Sequence, residues 1–303
     1  MDRNNPYYAQ VQLLLRLLPL VADEPCFALK GGTAINLFVR DFPRLSVDID
    51  LVYLPNSDRD QALVDIRVAL DRLANAFAKI LPGIKIIKSY KDKQDALRLV
   101  VEHNGARIKV ELSPVLRGTV YPCETRPVVA AVEEEFGFAE TQLVSFEDLF
   151  AGKICAALDR QHPRDLFDIQ LLLANEGLTD KLKKAFLVYL ISHPRPMDEL
   201  LAPNLKDLSR IYADEFAGMP LVKTSLAELE QARTDLPVAI ESSLDDKDKR
   251  FLCGIYQRNP QWELLGLDGV DELPAVKWKL KNIEKMADGQ RAESLNNLKR
   301  ILQ

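Results

Sequence analysis

The chain has 303 residues, a length that suits two domains or one elaborate domain, and its 47% hydrophobic and 28% charged residues exclude a disordered or fibrous protein. Its formal net charge of -5 argues against a protein that coats polyanions by bulk charge, while local basic patches keep nucleic acid open as a partner. Cys26, Cys123, Cys155 and Cys253 lie far apart, with no CxxC and no Cys/His pair at zinc spacing. They read as buried free thiols of a reducing, cytoplasmic compartment. The opening MDRNNPYYAQ is unlike a signal peptide. The apolar run Leu13 to Val21 is broken by Arg16 and Pro19 and is too short to span a bilayer, so no membrane partner is expected.

The first part of the chain mixes helix and strand patterns. A helix is predicted from about Tyr7 to Leu18, and a buried strand over Cys26 to Leu29, ended by Gly31-Gly32. Thr33 is then placed to cap a short helix reaching Phe38. VDIDLVY, Val47 to Tyr53, alternates acidic and apolar residues with the period of a strand. Arg59 to Ile80 reads as helix up to Pro82-Gly83. Strands follow at Ile84 to Ser89, Ala96 to Glu102 and Ala106 to Leu112, the last pair joined by the hairpin signal Asn104-Gly105. Beyond about residue 140 the character is helical. Ser145 with Asp148 starts one helix, Pro163 opens the next, Thr179 caps a third, and Ser243 with Asp246 starts another. The tail from Val276 is helical and basic. The expected fold class is therefore α+β, a small mixed sheet flanked by helices over residues 1–140, followed by a helical domain over 141–303.

Asp48 and Asp50 are separated by one residue on a predicted strand, so both side chains leave the same face. Carboxylates that close repel unless a cation or proton sits between them, and oxygen ligands of this kind suit Mg2+, which takes its other ligands from water and substrate phosphates. Upstream, Gly31-Gly32-Thr33 lies between a strand and a short helix, where glycine lets backbone approach a phosphate and a helix start offers free N–H groups. Ser46 adds a hydroxyl nearby. Glu111, on one face of RIKVELSP with Arg107 and Lys109, is the first candidate for a third carboxylate, and Glu102 on the partner strand the second. In the helical part, Lys153 lies in an otherwise apolar helix, and Asp165 and Asp168 share a face of the next, so that Asp165 can hold Lys153 by a salt bridge. His103, His162 and His193 are scattered and carry no catalytic assignment.

The run LKGGTAINLFVRDFPRLSVDIDLVY, Leu29 to Tyr53, resembles the first motif of the polymerase-β-like nucleotidyltransferase superfamily. More narrowly it resembles the AbiEii/AbiGii toxins of type IV abortive-infection toxin–antitoxin systems, through Lys30, Gly31, Gly32, Thr33, then Arg44, Ser46, Asp48, Asp50 and Leu51. LFAGKICAALDRQHPRDLFDI, Leu149 to Ile169, is similar to the family's helical motif through Lys153, Arg164, Asp165 and Asp168. The superfamily usually has Gly-Ser where this chain has Gly-Gly, and commonly an aspartate as third carboxylate.

The resemblance implies a polymerase-β-like core and a metal-dependent nucleotidyltransferase. Asp48, Asp50 and Glu111 would serve as metal and catalytic ligands. Gly31, Gly32, Thr33, Ser46 and Lys153 would bind the nucleotide, with Asp165 supporting Lys153 or acting catalytically, and the helical domain would complete the cleft. Mg2+ and a nucleoside triphosphate (NTP) are the implied cofactor and substrate, the tRNA 3′ end the implied acceptor, and a cognate antitoxin the implied partner. Arg164, the lysines 79, 85, 88, 91 and 93, and the basic tail from Lys277 to Arg300 are candidates for RNA phosphate. A protein-modifying nucleotidyltransferase or kinase, and a silent nucleotide-binding module, are the alternatives.

Overall fold

The computed structural model describes residues 3, 5–93 and 95–303; residues 1, 2 and 4, in the stretch read as unlike a signal peptide, lie outside the described residues. The chain divides into two compact units, 1–145 with 217–223, and 146–216 with 224–303.

The first unit contains α1 (Tyr8–Ala22), β1 (Phe27–Lys30), α2 (Gly31–Ala34), which runs on as a π-helical turn over Ile35–Val39, β2 (Asp48–Tyr53) and α3 (Arg59–Ile80). Then come β3 (Lys85–Lys88), β4 (Arg98–His103), β5 (Ala106–Leu112), β6 (Glu124–Pro127), α4 (Ala130–Phe136) and β7 (Glu140–Leu143). The strands form one mixed sheet in the order β3-β4-β5-β2-β1-β7-β6. β5 shows how the sequence sets the two faces. Ala106, Ile108, Val110 and Leu112 are buried, while Arg107, Lys109 and Glu111 leave the other side. Asn104 and Gly105 both have positive φ, at 48° and 81°, the geometry a two-residue hairpin requires.

α3 spans the predicted residues. Its N-cap is Asp58, whose carboxylate accepts from the Asp60 and Gln61 N–H groups, both at 3.0 Å. One expectation fails here. The helix after the glycines begins at Gly31 rather than after Thr33, with Lys30 at the N-cap position. β6, α4 and β7 were not foreseen in the sequence. β6 is an edge strand of sequence ETRP, mostly exposed, with no apolar alternation and a single β-branched residue, Thr125, to mark it. Segment 217–223 joins this unit by an antiparallel bridge, Arg44 to Pro220, with Leu45 N–H donating to the Met219 carbonyl at 2.9 Å and Leu221 N–H to that of Pro43 at 2.8 Å.

The second unit is helical: α5 (Phe146–Arg160), α6 (Pro163–Asn175), α7 (Asp180–Ser192), α8 (Met197–Leu201), α9 (Ser209–Glu215), α10 (Leu226–Ser243), α11 (Asp246–Tyr256), α12 (Pro274–Glu284) and α13 (Asp288–Ile301). Pro163 is at the first turn of α6, and Thr179 caps α7 by accepting from Leu182 N–H at 3.2 Å. The predicted start at Ser243 is displaced. Ser243 ends α10, its hydroxyl donating to the Ile240 carbonyl, and the α11 cap is Asp245, whose carboxylate accepts from the Lys247 and Asp248 N–H groups at 2.8 and 2.9 Å. A carboxylate is the stronger acceptor at a helix start and takes the role. Among the described residues no helix is long and apolar enough to cross a membrane.

Candidate active site

β2 lies between β1 and β5. Its inner side is fixed by Ile49 and Leu51, both 0% exposed, so Asp48 and Asp50 leave the opposite face, each half-buried. The strand register then sets their neighbours. Asp50 is opposite Lys30 on β1 and Glu111 on β5, and Glu111 is opposite Arg98 on β4. One row across the sheet thus reads Lys30, Asp50, Glu111, Arg98, two carboxylates flanked by two cations. Asp48 pairs in the same way with Lys109.

The glycines pack directly against this row. Gly31 has φ of +78°, and a β-carbon there would overlap Asp50 Oδ2. A β-carbon on Gly32 would fall 2.7 Å from Arg44 Nη2 and 3.1 Å from Ser46 Oγ. Any side chain at 31 would therefore meet both a strained backbone and the aspartate. Gly31→Ala is expected to cost about 1–3 kcal/mol in a urea titration and to depress activity through displacement of Asp50. A variant with wild-type midpoint and activity would contradict this packing.

Thr33 is 1% exposed. Its hydroxyl lies 2.5 Å from the Asp48 carbonyl and 3.0 Å from Ser46 Oγ. A carbonyl can only accept and a hydroxyl has one proton, so Thr33 donates to Asp48 and Ser46 donates to Thr33. These hydroxyls tie the glycine turn to the start of β2. Arg44, 2% exposed, lies beneath the same turn and donates to the Leu45 carbonyl at 2.9 Å.

Glu111 is engaged by an ion pair with Arg98, which sequence reading missed. Glu102 lies farther along β4, ion-paired with Lys85 at 3.2 Å and Arg107 at 3.5 Å. Among the described residues no three acidic, histidine or cysteine side chains converge on one point fit for a metal ion. The donor set nevertheless suits Mg2+, which needs only one or two protein carboxylates when substrate phosphates supply the rest. Asp48 and Asp50 are such a pair, and the Asp50 carboxylate packs against the Gly31 backbone, where a β-carbon would overlap it.

The second unit holds a separate cluster. Lys153, 7% exposed, lies 2.9 Å from Asp165 Oδ1 and 3.0 Å from Asp168 Oδ2, two carboxylates that are almost wholly buried. Arg160, a second residue missed in the sequence, reaches Asp165 at 2.8 Å. Burial pushes the Asp165 carboxyl up, but Lys153 and then Arg160 outweigh it and hold the group at about 2. Arg164 lies 3.9 Å from Glu215. The Asp165 pKa is depressed on folding, so its stabilisation is complete above the unfolded value of 3.8 and is lost as pH falls towards 2. Urea midpoints at pH 5 and pH 2.5 are expected to show an acid loss in the wild type that shrinks by about 2 kcal/mol in Asp165→Asn. An equal acid loss in both proteins would contradict the assignment.

The basic stretches are partly neutralised within the fold. Lys88 pairs with Asp71 and Lys277 with Glu272. Lys279 is buried, and its ammonium donates to the His193 and Arg195 carbonyls at 2.7 and 2.8 Å.

A mixed α+β sheet carrying a glycine turn against an Asp-x-Asp strand has the features of the nucleotidyltransferase class. Residues 12–278 match the family described as nucleotidyl transferase AbiEii toxin, type IV TA system. The chain belongs to that family of nucleotidyltransferase toxins. Its fold is similar to that of MenT4, a nucleotidyltransferase toxin from Mycobacterium tuberculosis H37Rv, with a TM-score of 0.60 and 12% identity over 98% of this chain and 94% of that one. No curated protein sequence matches the chain.

Proposed function

We propose that this toxin acts in the cytoplasm, transferring a nucleoside monophosphate from an NTP to the 3′ end of a tRNA and so blocking translation until a cognate antitoxin restrains it. The observation that supports this reading is the placement of Asp48 and Asp50 on one face of β2, against the positive-φ Gly31. Mg2+ held by these aspartates, with Glu111 as a further ligand, would neutralise charge on the triphosphate. The acceptor hydroxyl oxygen forms a bond to the α-phosphorus as the bond to the bridging oxygen breaks, and pyrophosphate leaves.

The chain contributes mainly position and charge. Asp48 and Asp50 fix the metal end of the triphosphate. Gly31 and Gly32 let the backbone come close to it, and Thr33 and Ser46 hold that turn in place. Glu111, on exchanging Arg98 for the substrate, receives the proton of the acceptor hydroxyl. Lys153 and Asp165 enter this proposal as the pair that joins α5 to α6.

The test is to incubate the protein with Mg2+, total tRNA and cell protein, using each NTP labelled at the α or the γ position. Label from the α position is expected in tRNA alone. Transfer of γ label, label in protein, or no label under any condition would each overturn the proposal.

A further inference from the structure

The face of α11 opposite its buried side is polar and cationic. Phe251, Leu252, Ile255 and Tyr256 are buried, whereas Asp246, Arg250, Cys253 and Gln257 follow one another at helical spacing along the other side, with Lys249 beside them. That side lines a groove of about 790 Å³ in the second unit, closed by the loop with Asn259 and Gln261 and by Lys299 from the last turn of α13. The loop wall is built into the fold. A β-carbon at Gly254 would fall 2.8 Å from the Asn259 carbonyl oxygen, so the loop folds back onto α11 only because residue 254 has no side chain. Asn259 N–H donates to the Gly254 carbonyl at 2.9 Å, and the Arg258 guanidinium anchors the loop by donating to the Glu284 carbonyl at 2.8 Å.

Lys153, Lys88, Lys277 and Lys279 are all engaged by partners within the fold. Lys249, Arg250 and Lys299 differ: among the described residues none of them forms an ion pair. Like charges gathered in a concavity repel one another unless an anion enters, and among the described residues Asp246 is the one carboxylate in the lining. Among the described residues no aromatic side chain lines the groove, so a base would find no stacking surface there, which disfavours a free nucleotide or an unpaired strand. Cations with amide side chains and no stacking face suit the phosphates and 2′-hydroxyls of an A-form RNA helix.

We propose that this groove is a docking site for the backbone of double-helical RNA, such as the stem that bears the acceptor end. The proposal rests on the reading that the acceptor is RNA. Binding of a fluorescent RNA hairpin with a 3′ overhang is measured by anisotropy over a range of salt concentrations. The triple variant Lys249→Gln, Arg250→Gln, Lys299→Gln is expected to bind at least about tenfold more weakly, and its slope of log K against log salt to fall by about three. Arg250 and Lys299 are exposed and Lys249 is half-buried, and an unchanged urea midpoint verifies the fold.

A second measurement needs no substitution. Cys253 lines the groove and is partly exposed, so the hairpin is expected to slow its alkylation several-fold relative to Cys26 and Cys123, read peptide by peptide. Equal hairpin binding by wild type and variant, no hairpin binding by the wild type, or no protection of Cys253 would each overturn the site. Loss of hairpin binding in the variant, with Cys253 protected in the wild type, supports the site even if the wild type fails to modify RNA, a result that would sink the tRNA reading alone. RNA modification that is unchanged in a variant with unchanged hairpin binding would sink the groove and leave that reading intact.

Discussion

Asp48→Asn and Asp50→Asn are each expected to lower nucleotidyl transfer by at least about 10³-fold without unfolding the protein. Asparagine keeps the size of aspartate and removes its charge, and the charge is what holds a cation against a triphosphate. The strand itself depends on Ile49 and Leu51, which stay in the core. Stability is expected to change by less than about 0.5 kcal/mol, or to rise, because the adjacent aspartates repel each other when no cation lies between them. Steady-state transfer assays alongside urea titrations separate the two quantities. Full activity in both single variants would remove β2 from the chemistry, and a large fall in midpoint would make the aspartates structural.

Lys153→Ala is expected to destabilise the protein by about 3–5 kcal/mol, a loss readable as a lower urea midpoint. The substitution leaves Asp165 and Asp168 buried without the ammonium they share; Arg160 compensates only the first of them. Lost activity in this variant therefore says little about catalysis. The informative protein is the triple variant Lys153→Met, Asp165→Asn, Asp168→Asn, in which no full charge of the cluster stays buried. It is expected to recover most of the lost stability, as replacement of a whole buried ion cluster often does. If it folds and transfers nucleotide normally, the role of Lys153 is structural. If it folds but its KM for NTP rises at least about tenfold, the ammonium contacts the nucleotide, and the structural assignment falls.

Local patterns in the sequence carried far, and their limits have physical causes. α3 was readable end to end because a helical apolar stripe runs up to a Pro-Gly stop there. The Arg98–Glu111 pair was also within reach. A two-residue turn at Asn104-Gly105 sets His103 opposite Ala106, and counting back along the hairpin brings Arg98 opposite Glu111. The parallel pairing that aligns Asp50 with Glu111 was not, because β2 and β5 are brought together across α3, β3 and β4, and their register depends on tertiary packing. Thr33 misled as a helix cap because its hydroxyl bonds outward to β2, a contact with no local signature. Arg160 was missed because its link to Asp165 depends on the tight corner at Gln161, where φ is +53°.

The bridge between Arg44 and Pro220 also bears on synthesis. The loop that leads into the aspartate strand receives backbone partners from residues 219–221, well over a hundred positions later in the chain. Domains emerging from a ribosome fold as their residues become available, N-terminal parts first. The nascent first unit must therefore wait with the Leu45 N–H and Pro43 carbonyl facing solvent until that late segment has left the exit tunnel. A toxin built this way completes the frame around its aspartates only after most of its own chain has been synthesised.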